Sequence, residues 1–307
     1  MKHILSITDF SKKELLSVIK LGKELKEKHK QAGESPKYLR GKTLAMIFEK
    51  PSLRTRLSFE IAMTQLGGHA VYLSPSDIGL GTREPIKDIA KVTSSMADGI
   101  MTRTFTHANV YEFAKHSLVP VINGLSDLEH PCQILADLLT IFEQKGKFSD
   151  LKIAFIGDGN NNVTHSLALV CGMLGMDFVS ASPKGFEMNI TVLYKAHLLA
   201  KSNGTIMTQT NNPYEAAYQA DVVYTDTWIS MGKEEEKEKR MATFLPFQVD
   251  NELMNVAKSN AIFMHDMPAY RGNEVAANVI DGPQSVVYQQ AENRLHAQKS
   301  LLTFIIR

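Results

Sequence analysis

Short apolar runs alternate with stretches of helical spacing along most of this chain, and that alternation constrains its fold more than any other feature. From Thr43 onward the order is strand, turn, helix, repeated. Thr43–Phe48, Ala70–Leu73, Gly99–Thr104 and Val119–Ile122 read as strands. Helical spacing covers Arg54–Leu66, Ile86–Met96, Val110–Lys115 and Asp127–Gln144. At Gly146–Asp150 the chain turns polar and a second series begins. Its strands are Lys152–Ile156, Phe178–Ala181, Thr205–Thr208, Val222–Thr225 and Ala261–Met264, with helices over Ser166–Leu174, Thr191–Ser202, Pro213–Gln219 and, last, Ala291–Ile306. Such alternation implies parallel sheets. The expected class is α/β, with two domains, each a parallel sheet flanked by helices and the active site in the cleft between them. The 307 residues fit two domains at roughly 150 residues each.

Before Thr43, Ser11-Lys12-Lys13-Glu14 reads as a capping box that opens a helix. Leu15, Val18, Ile19 and Leu25 fall on one face of it. The charge runs Lys26–Lys30 and Lys233–Arg240 read as solvated.

The charge balance excludes some partners. There are 34 Lys+Arg against 33 Asp+Glu, a net of +1. A dedicated nucleic-acid binder carries a basic excess, so none is expected, although a local basic pocket for a small anion remains open. Two cysteines, Cys132 and Cys171, make no disulfide framework and fit a reducing, cytoplasmic setting. The N-terminus turns polar too early for a signal peptide, and no run approaches the ~18 apolar residues of a membrane span.

In sheets of this kind ligands sit beyond the carboxyl ends of strands, so polar clusters there carry the chemistry. Ser52-Leu53-Arg54-Thr55-Arg56 follows the first strand and opens a helix. Helix-start amides and guanidinium forks suit a phosphate, while a capped helix with surface arginines is the bland alternative. Arg103 with His107, and His130 with Gln133, follow later strands. His130 and Gln133 share a face and can donate to a carbonyl or phosphate oxygen, or simply cap a helix. Gly157–Asn162 lacks the third glycine of a dinucleotide fingerprint, and its asparagines offer amide recognition of a zwitterion instead. Asp226, in Asp226–Gly232, suits an amino group, with turn capping as the alternative. His265–Pro268 and Arg294 complete the set. Phosphate-type groups thus gather in the first half, and amine- and carboxylate-type groups in the second. This is the layout of a two-substrate transferase.

SLRTR (52–56), HPCQ (130–133), DGNNN (158–162), DTWISMG (226–232) and AENR (291–294), in this order, resemble the ornithine carbamoyltransferases over nearly the whole chain. The resemblance implies transfer of a carbamoyl group from carbamoyl phosphate to the δ-amine of L-ornithine, giving citrulline and phosphate in arginine biosynthesis. It implies that Ser52, Leu53, Arg54, Thr55, Arg103, His130, Gln133 and Arg294 bind carbamoyl phosphate. Leu125, Asn162, Asp226, Ser230 and Met231 would bind ornithine. Arg103, His130, Asp226 and Asp266 would be catalytic. Domains at 1–145 plus 287–307 and at 146–286 follow, because Arg294 must return to the phosphate. A homotrimer, or a multiple of trimers, is implied as well. No cofactor is expected, and no metal, since no metal-ligand spacing is visible. The physics fits these roles. Free ornithine is mostly ammonium near pH 7, so a neighbouring group must share or remove a proton. Donors from Thr55, Arg103 and His130 to the developing oxyanion would each contribute about 3–4 kcal/mol.

This chain departs from the family at two places. The family carries His-Cys-Leu-Pro where His265-Asp266-Met267-Pro268 stands here. A second carboxylate beside Asp226 favours the ammonium form of the substrate, which predicts an alkaline-shifted enzyme. Gly79 stands where relatives often hold a polar side chain that reaches a neighbouring subunit. Two rivals follow: a carbamoyltransferase for another amine, such as aspartate, an acylated ornithine or putrescine, and a non-catalytic binding paralogue.

Overall fold

Parallel pairing puts both faces of a sheet under helices, and an interior strand of this chain shows it: the last five residues of Thr43–Phe48 are all buried. The computed structural model describes residues 1–79, 83–229 and 234–307. The chain forms α1 (Lys12–Ala32), β1 (Thr43–Phe48), α2 (Leu53–Gln65), β2 (His69–Leu73), α3 (Pro75–Ile78), α4 (Ile86–Met96), β3 (Gly99–Arg103), α5 (His107–His116), β4 (Val121–Leu125) and α6 (Pro131–Lys145). Then come β5 (Lys152–Ile156), α7 (Asn162–Leu174), β6 (Asp177–Ala181), α8 (Ile190–Asn203), β7 (Met207–Thr210), α9 (Pro213–Ala217) and β8 (Val222–Thr225). The series ends with α10 (Lys237–Phe244), α11 (Asn251–Val256), β9 (Ile262–His265), α12 (Ala277–Ile280) and α13 (Val287–Ile306). Two compact units result: Met1–Leu139 with Glu292–Arg307, and Thr140–Ala291.

The first unit holds a parallel sheet ordered β2-β1-β3-β4. From β1 the chain moves to β2 on one side, then crosses to β3 on the other. Such a reversal opens a crevice at the strand ends, here where Phe48 pairs with Arg103. Ile47, Ile89, Ile100, Val110, Phe113 and Val121 form a core against the sheet. The Ser11–Glu14 capping box is present, and α1 ends on Gly33 at φ 71°, a left-handed position suited to glycine. Lys26, expected in solvent, is buried instead: its Nζ donates to Asn293 Oδ1 at 2.7 Å and lies 3.7 Å from Glu292. Lys299 is likewise enclosed, and its Nζ donates to Ser35 Oγ at 2.9 Å. The helix expected from Asp127 begins at Pro131, because Ser126 N–H and Oγ both engage the Glu129 carbonyl and hold 126–129 as a loop. Proline then takes the first helical position, where no amide is lost.

The second unit holds a parallel sheet ordered β7-β6-β5-β8-β9. Its reversal lies between β5 and β8, so the loops from Gly157 and Asp226 emerge side by side, with His265 next in line on β9. Ile156, Val223, Phe263, Leu253 and Ile280 belong to its core. Strand β7 begins two residues later than expected. Gly204 at φ 69° ends α8, and Thr205 N–H donates back to Ala200 O, so Thr205 serves the helix end. Cys132 and Cys171 are both free and buried. Among the described residues no helix is long and apolar enough to cross a membrane.

Candidate functional site

In the first unit, Ser52 caps α2, its Oγ accepting the Thr55 N–H at 3.3 Å. The positive end of the helix dipole therefore faces the crevice beyond β1. Leu53 is exposed at the first helical position, so a contact from it would come through its backbone. Thr55 is buried, and Arg294 Nη2 donates to its Oγ1 at 3.1 Å. Arg294 Nη1 donates to Gln133 Oε1, and Gln133 Nε2 donates to Asp137 Oδ1 at 2.8 Å. Thr55, Gln133 and Arg294, far apart in sequence, form one network. Arg103 is buried at the end of β3, and its carbonyl accepts the Glu49 N–H at 2.8 Å. Glu49 Oε2 accepts the Phe105 N–H at 2.6 Å, tying the post-β1 and post-β3 segments together. Arg56 is used elsewhere: it pairs with Glu60 at 2.9 Å and stacks 3.8 Å over Tyr72.

His130 is the electrostatic centre of this half-site. Burial pushes its pKa well below the ordinary histidine range, and Arg294, Arg103, Lys50 and Arg54 push it further. The imidazole is therefore neutral, a hydrogen-bonding group set among cations. That combination suits an anion whose neutral oxygen also needs a donor. Lys50 was not singled out in the sequence. Its ammonium lies 5.0 Å over the Phe105 ring, and burial, then Arg103, lowers its pKa to about 8. Only its place inside the Phe48–Arg56 cluster hinted at a role.

In the second unit, Asn161 caps α7 by accepting the Val163 and Thr164 amides, which turns its Nδ2 onto Asp226 Oδ2 at 2.7 Å. Gly159 permits this loop, because a Cβ there would stand 2.8 Å from the Phe186 carbonyl. Asn162 follows as the first residue of α7. Asp226 Oδ1 accepts the Thr227 N–H at 2.6 Å. Burial raises the Asp226 pKa well above the carboxylate range, and the neighbouring Asp266 raises it further. Asp226, His265 and Asp266 place donor atoms within 4.8 Å of one another, enough to surround a cation, whether metal or ammonium. Burial opposes a proton on His265, while Asp266 and Glu274 favour one and raise its pKa. The Met267 amide counters them: its N–H donates to Nδ1 at 2.9 Å and needs that nitrogen unprotonated. We assign the Nε2–H tautomer, which points at Glu274 Oε1 at 3.2 Å. The buried Glu274 is a second group the sequence reading did not reach. A cavity of about 240 Å³ adjoins this loop, lined by Thr227, Trp228, Tyr270, Asn273 and Glu274 among others.

Leu125 ends β4 in the first unit, apart in the chain from the other amine-side candidates; its carbonyl accepts the Thr104 N–H at 2.9 Å. Ser230 and Met231 lie outside the described residues.

Comparison with known proteins gives this geometry a family. Residues 2–143 match the family described as aspartate/ornithine carbamoyltransferase, carbamoyl-P binding domain, and residues 149–305 match its Asp/Orn binding domain. The chain belongs to the aspartate/ornithine carbamoyltransferase family. It is 53% identical over 305 residues to the ornithine carbamoyltransferase of Anoxybacillus flavithermus, covering 99% of this chain and 96% of that one. With the Caldicellulosiruptor saccharolyticus enzyme of the same name the identity is 52%, over 99% and 98%. Among solved structures, ornithine carbamoyltransferase from Pyrococcus furiosus superposes with a TM-score of 0.96 at 47% identity, covering 99% and 97%. The anabolic ornithine carbamoyltransferase from Campylobacter jejuni gives 0.93 at 43%, covering 99% and 98%. In family terms, the neutral histidine among cations lies in the carbamoyl-phosphate domain, and the carboxyl pair in the amino-acid domain.

Proposed function

We propose that this chain transfers the carbamoyl group of carbamoyl phosphate to the δ-amine of L-ornithine. The observation that carries the reading is the presence, in one member of this family, of a neutral buried imidazole among four cations and of a buried Asp226 beside a half-buried Asp266. The full-length likeness to ornithine carbamoyltransferases favours ornithine as the acceptor.

The α2 start, Ser52, Leu53, Arg54 and Thr55, with Arg103 and Arg294, holds the phosphate. His130 and Thr55 donate toward the carbonyl oxygen, and Gln133 fixes the carbamoyl amine. The δ-nitrogen lone pair attacks the carbamoyl carbon, and charge collects on the carbonyl oxygen. The C–O bond to phosphate then breaks, leaving its electron pair on the phosphate. Preset donors are worth about 3–4 kcal/mol each at that oxygen, and holding the reactants in line about 7–11 kcal/mol in favourable cases. Asn162, Asp226, Ser230, Met231 and the Leu125 backbone hold ornithine. The attacking amine must lose a proton. A carboxyl group whose pKa is raised is a better base than an ordinary aspartate, and Asp226 beside Asp266 supplies one.

The likeness to the family also supports a homotrimer, a cytoplasmic setting and a place in arginine biosynthesis. Sedimentation tests the first. Citrulline formation from carbamoyl phosphate tests the reaction, with L-ornithine compared against aspartate, an acylated ornithine and putrescine. Citrulline at a kcat/KM well above product from the other acceptors is expected. Preference for another amine, or no turnover at all, would overturn the reading.

A further inference from the structure

The last residue of the charge run 233–240, expected in solvent, is almost wholly enclosed: Arg240 is 3% exposed. Its guanidinium bridges three segments of the second unit. Nη1 donates to Asp158 Oδ2 at 2.8 Å and to the Trp228 carbonyl at 3.0 Å, and Nε donates to Glu236 Oε2 at 2.8 Å. The group lies 4.9 Å from the Phe186 ring centre and 5.8 Å from that of Phe244, which stacks with Trp228 at 5.9 Å. Asp158 belongs to the loop after β5; its Oδ1 accepts the Asn160 N–H at 3.0 Å and its carbonyl accepts Thr164 Oγ1 at 2.9 Å. Trp228 belongs to the loop after β8, two residues beyond Asp226. These loops also meet through Asn161 and Asp226 at 2.7 Å. One guanidinium thus fixes the register of the loop that leads into Asn162 and the loop that carries Asp226, without touching either residue.

We infer that Arg240 is a positioning residue for the amino-acid substrate, an inference that rests on the ornithine reading above. The chemistry requires arginine. Nη1 alone reaches a carboxylate and a carbonyl on two loops while Nε holds Glu236 and the group lies beside two aromatic rings, and the single nitrogen of an ammonium cannot span those positions. A buried ion pair is also a weak device for stability alone, because desolvation offsets much of the attraction. Holding two binding loops in one geometry is a use that a well-packed apolar residue would not serve. Arg240 acts on ornithine through the loops, so its loss should weaken that substrate selectively.

The test uses the full chain and the variants Arg240→Gln, Arg240→Lys and Asp158→Asn. KM for L-ornithine and for carbamoyl phosphate is measured for each, with a melting curve. Trp228 is the chain's single tryptophan, so its emission follows L-ornithine binding without any need for turnover. The KM and emission-derived Kd for ornithine should rise about tenfold to a hundredfold in Arg240→Gln and less in Arg240→Lys, while KM for carbamoyl phosphate holds. Asp158→Asn, which leaves Arg240 its other partners, should show the same selective loss and stands in if Arg240→Gln does not fold. Unchanged ornithine affinity in a folded variant overturns the inference. So does an equal weakening of both substrates that tracks the melting temperature. A wild-type chain that makes no citrulline counts against the transferase reading instead, and the emission titration still decides the role of Arg240.

Discussion

Replacing Asp266 by cysteine should move the acid limb of kcat/KM for ornithine to lower pH. In the wild type, Asp226 must ionise beside Asp266, with their oxygens within 4.8 Å. At an effective dielectric of ~20, like charges at that separation repel by about 3.5 kcal/mol, or about 2.5 pH units. Asp266 retains 14% side-chain exposure, so solvent screens part of this, and a shift of about 1–2 units is the expected result. A thiol in its place stays neutral over the acid limb and removes the repulsion. Asp226 then ionises lower, and the wild type is alkaline-shifted by comparison. Asp266→Asn serves as the control, since a neutral amide should shift the limb by the same amount if charge is the cause. The assay is citrulline formation with limiting ornithine from pH 5 to 9, because kcat/KM reports the free enzyme. Superimposable profiles for wild type and both variants would refute the coupling of the two carboxyls.

Lys50, whose pKa is lowered to about 8, loses its charge as pH rises through that value. Phosphate affinity should therefore fall on the alkaline side in the wild type and hold in Lys50→Arg, measured as the inhibition constant of inorganic phosphate from pH 7 to 9.5. Equal slopes would exclude Lys50 from the anion site. Cys132 is buried with its thiol pushed up to about 12, and burial also raises Cys171. Native enzyme should accordingly resist aromatic disulfide reagents while Asp266→Cys gains one reactive thiol; rapid labelling of the wild type would contradict this. The raised pKa of Asp226 means that its ionisation costs stability, beginning as pH rises through the unfolded value of about 3.9 and complete above the folded value. Asp226→Asn should therefore abolish turnover yet raise the melting temperature by about 2–4 °C at pH 8 and leave it unchanged near pH 3. A lower melting temperature at pH 8 would show that the charge is compensated.

The sheets were legible because a short apolar run between helices has few other solutions, and the β1 and β5 runs were recognised to the residue. The short helices α3, α11 and α12 were not, because a single turn carries too little periodicity. Lys26 and Arg240 both looked like members of solvated charge runs. Their partners, Asn293 and Asp158, lie 267 and 82 residues away and leave no local trace. At the candidate site, the loops after the strands were legible as the segments to search, since ligands of such sheets gather beyond the carboxyl ends of the strands. The contacts that tune them were not. Asn161 gave no sign that capping α7 would turn its amide onto Asp226, 65 residues later. Lys50 showed its residue type but not the burial that depresses its pKa.

The first unit is discontinuous, and this has a consequence for how the protein comes into being. Its sheet, β2-β1-β3-β4, is complete once Leu125 has been translated, but the segment that finishes it begins at Glu292, after the whole second unit. Arg294, Asn293 and Lys299 then supply hydrogen-bond partners to Thr55, Lys26 and Ser35. On the ribosome, this half can collapse early, yet it lacks the Arg294 guanidinium until the second unit has been translated. Arg294, proposed above as a phosphate ligand, thus joins the first unit only after the whole second unit has been made.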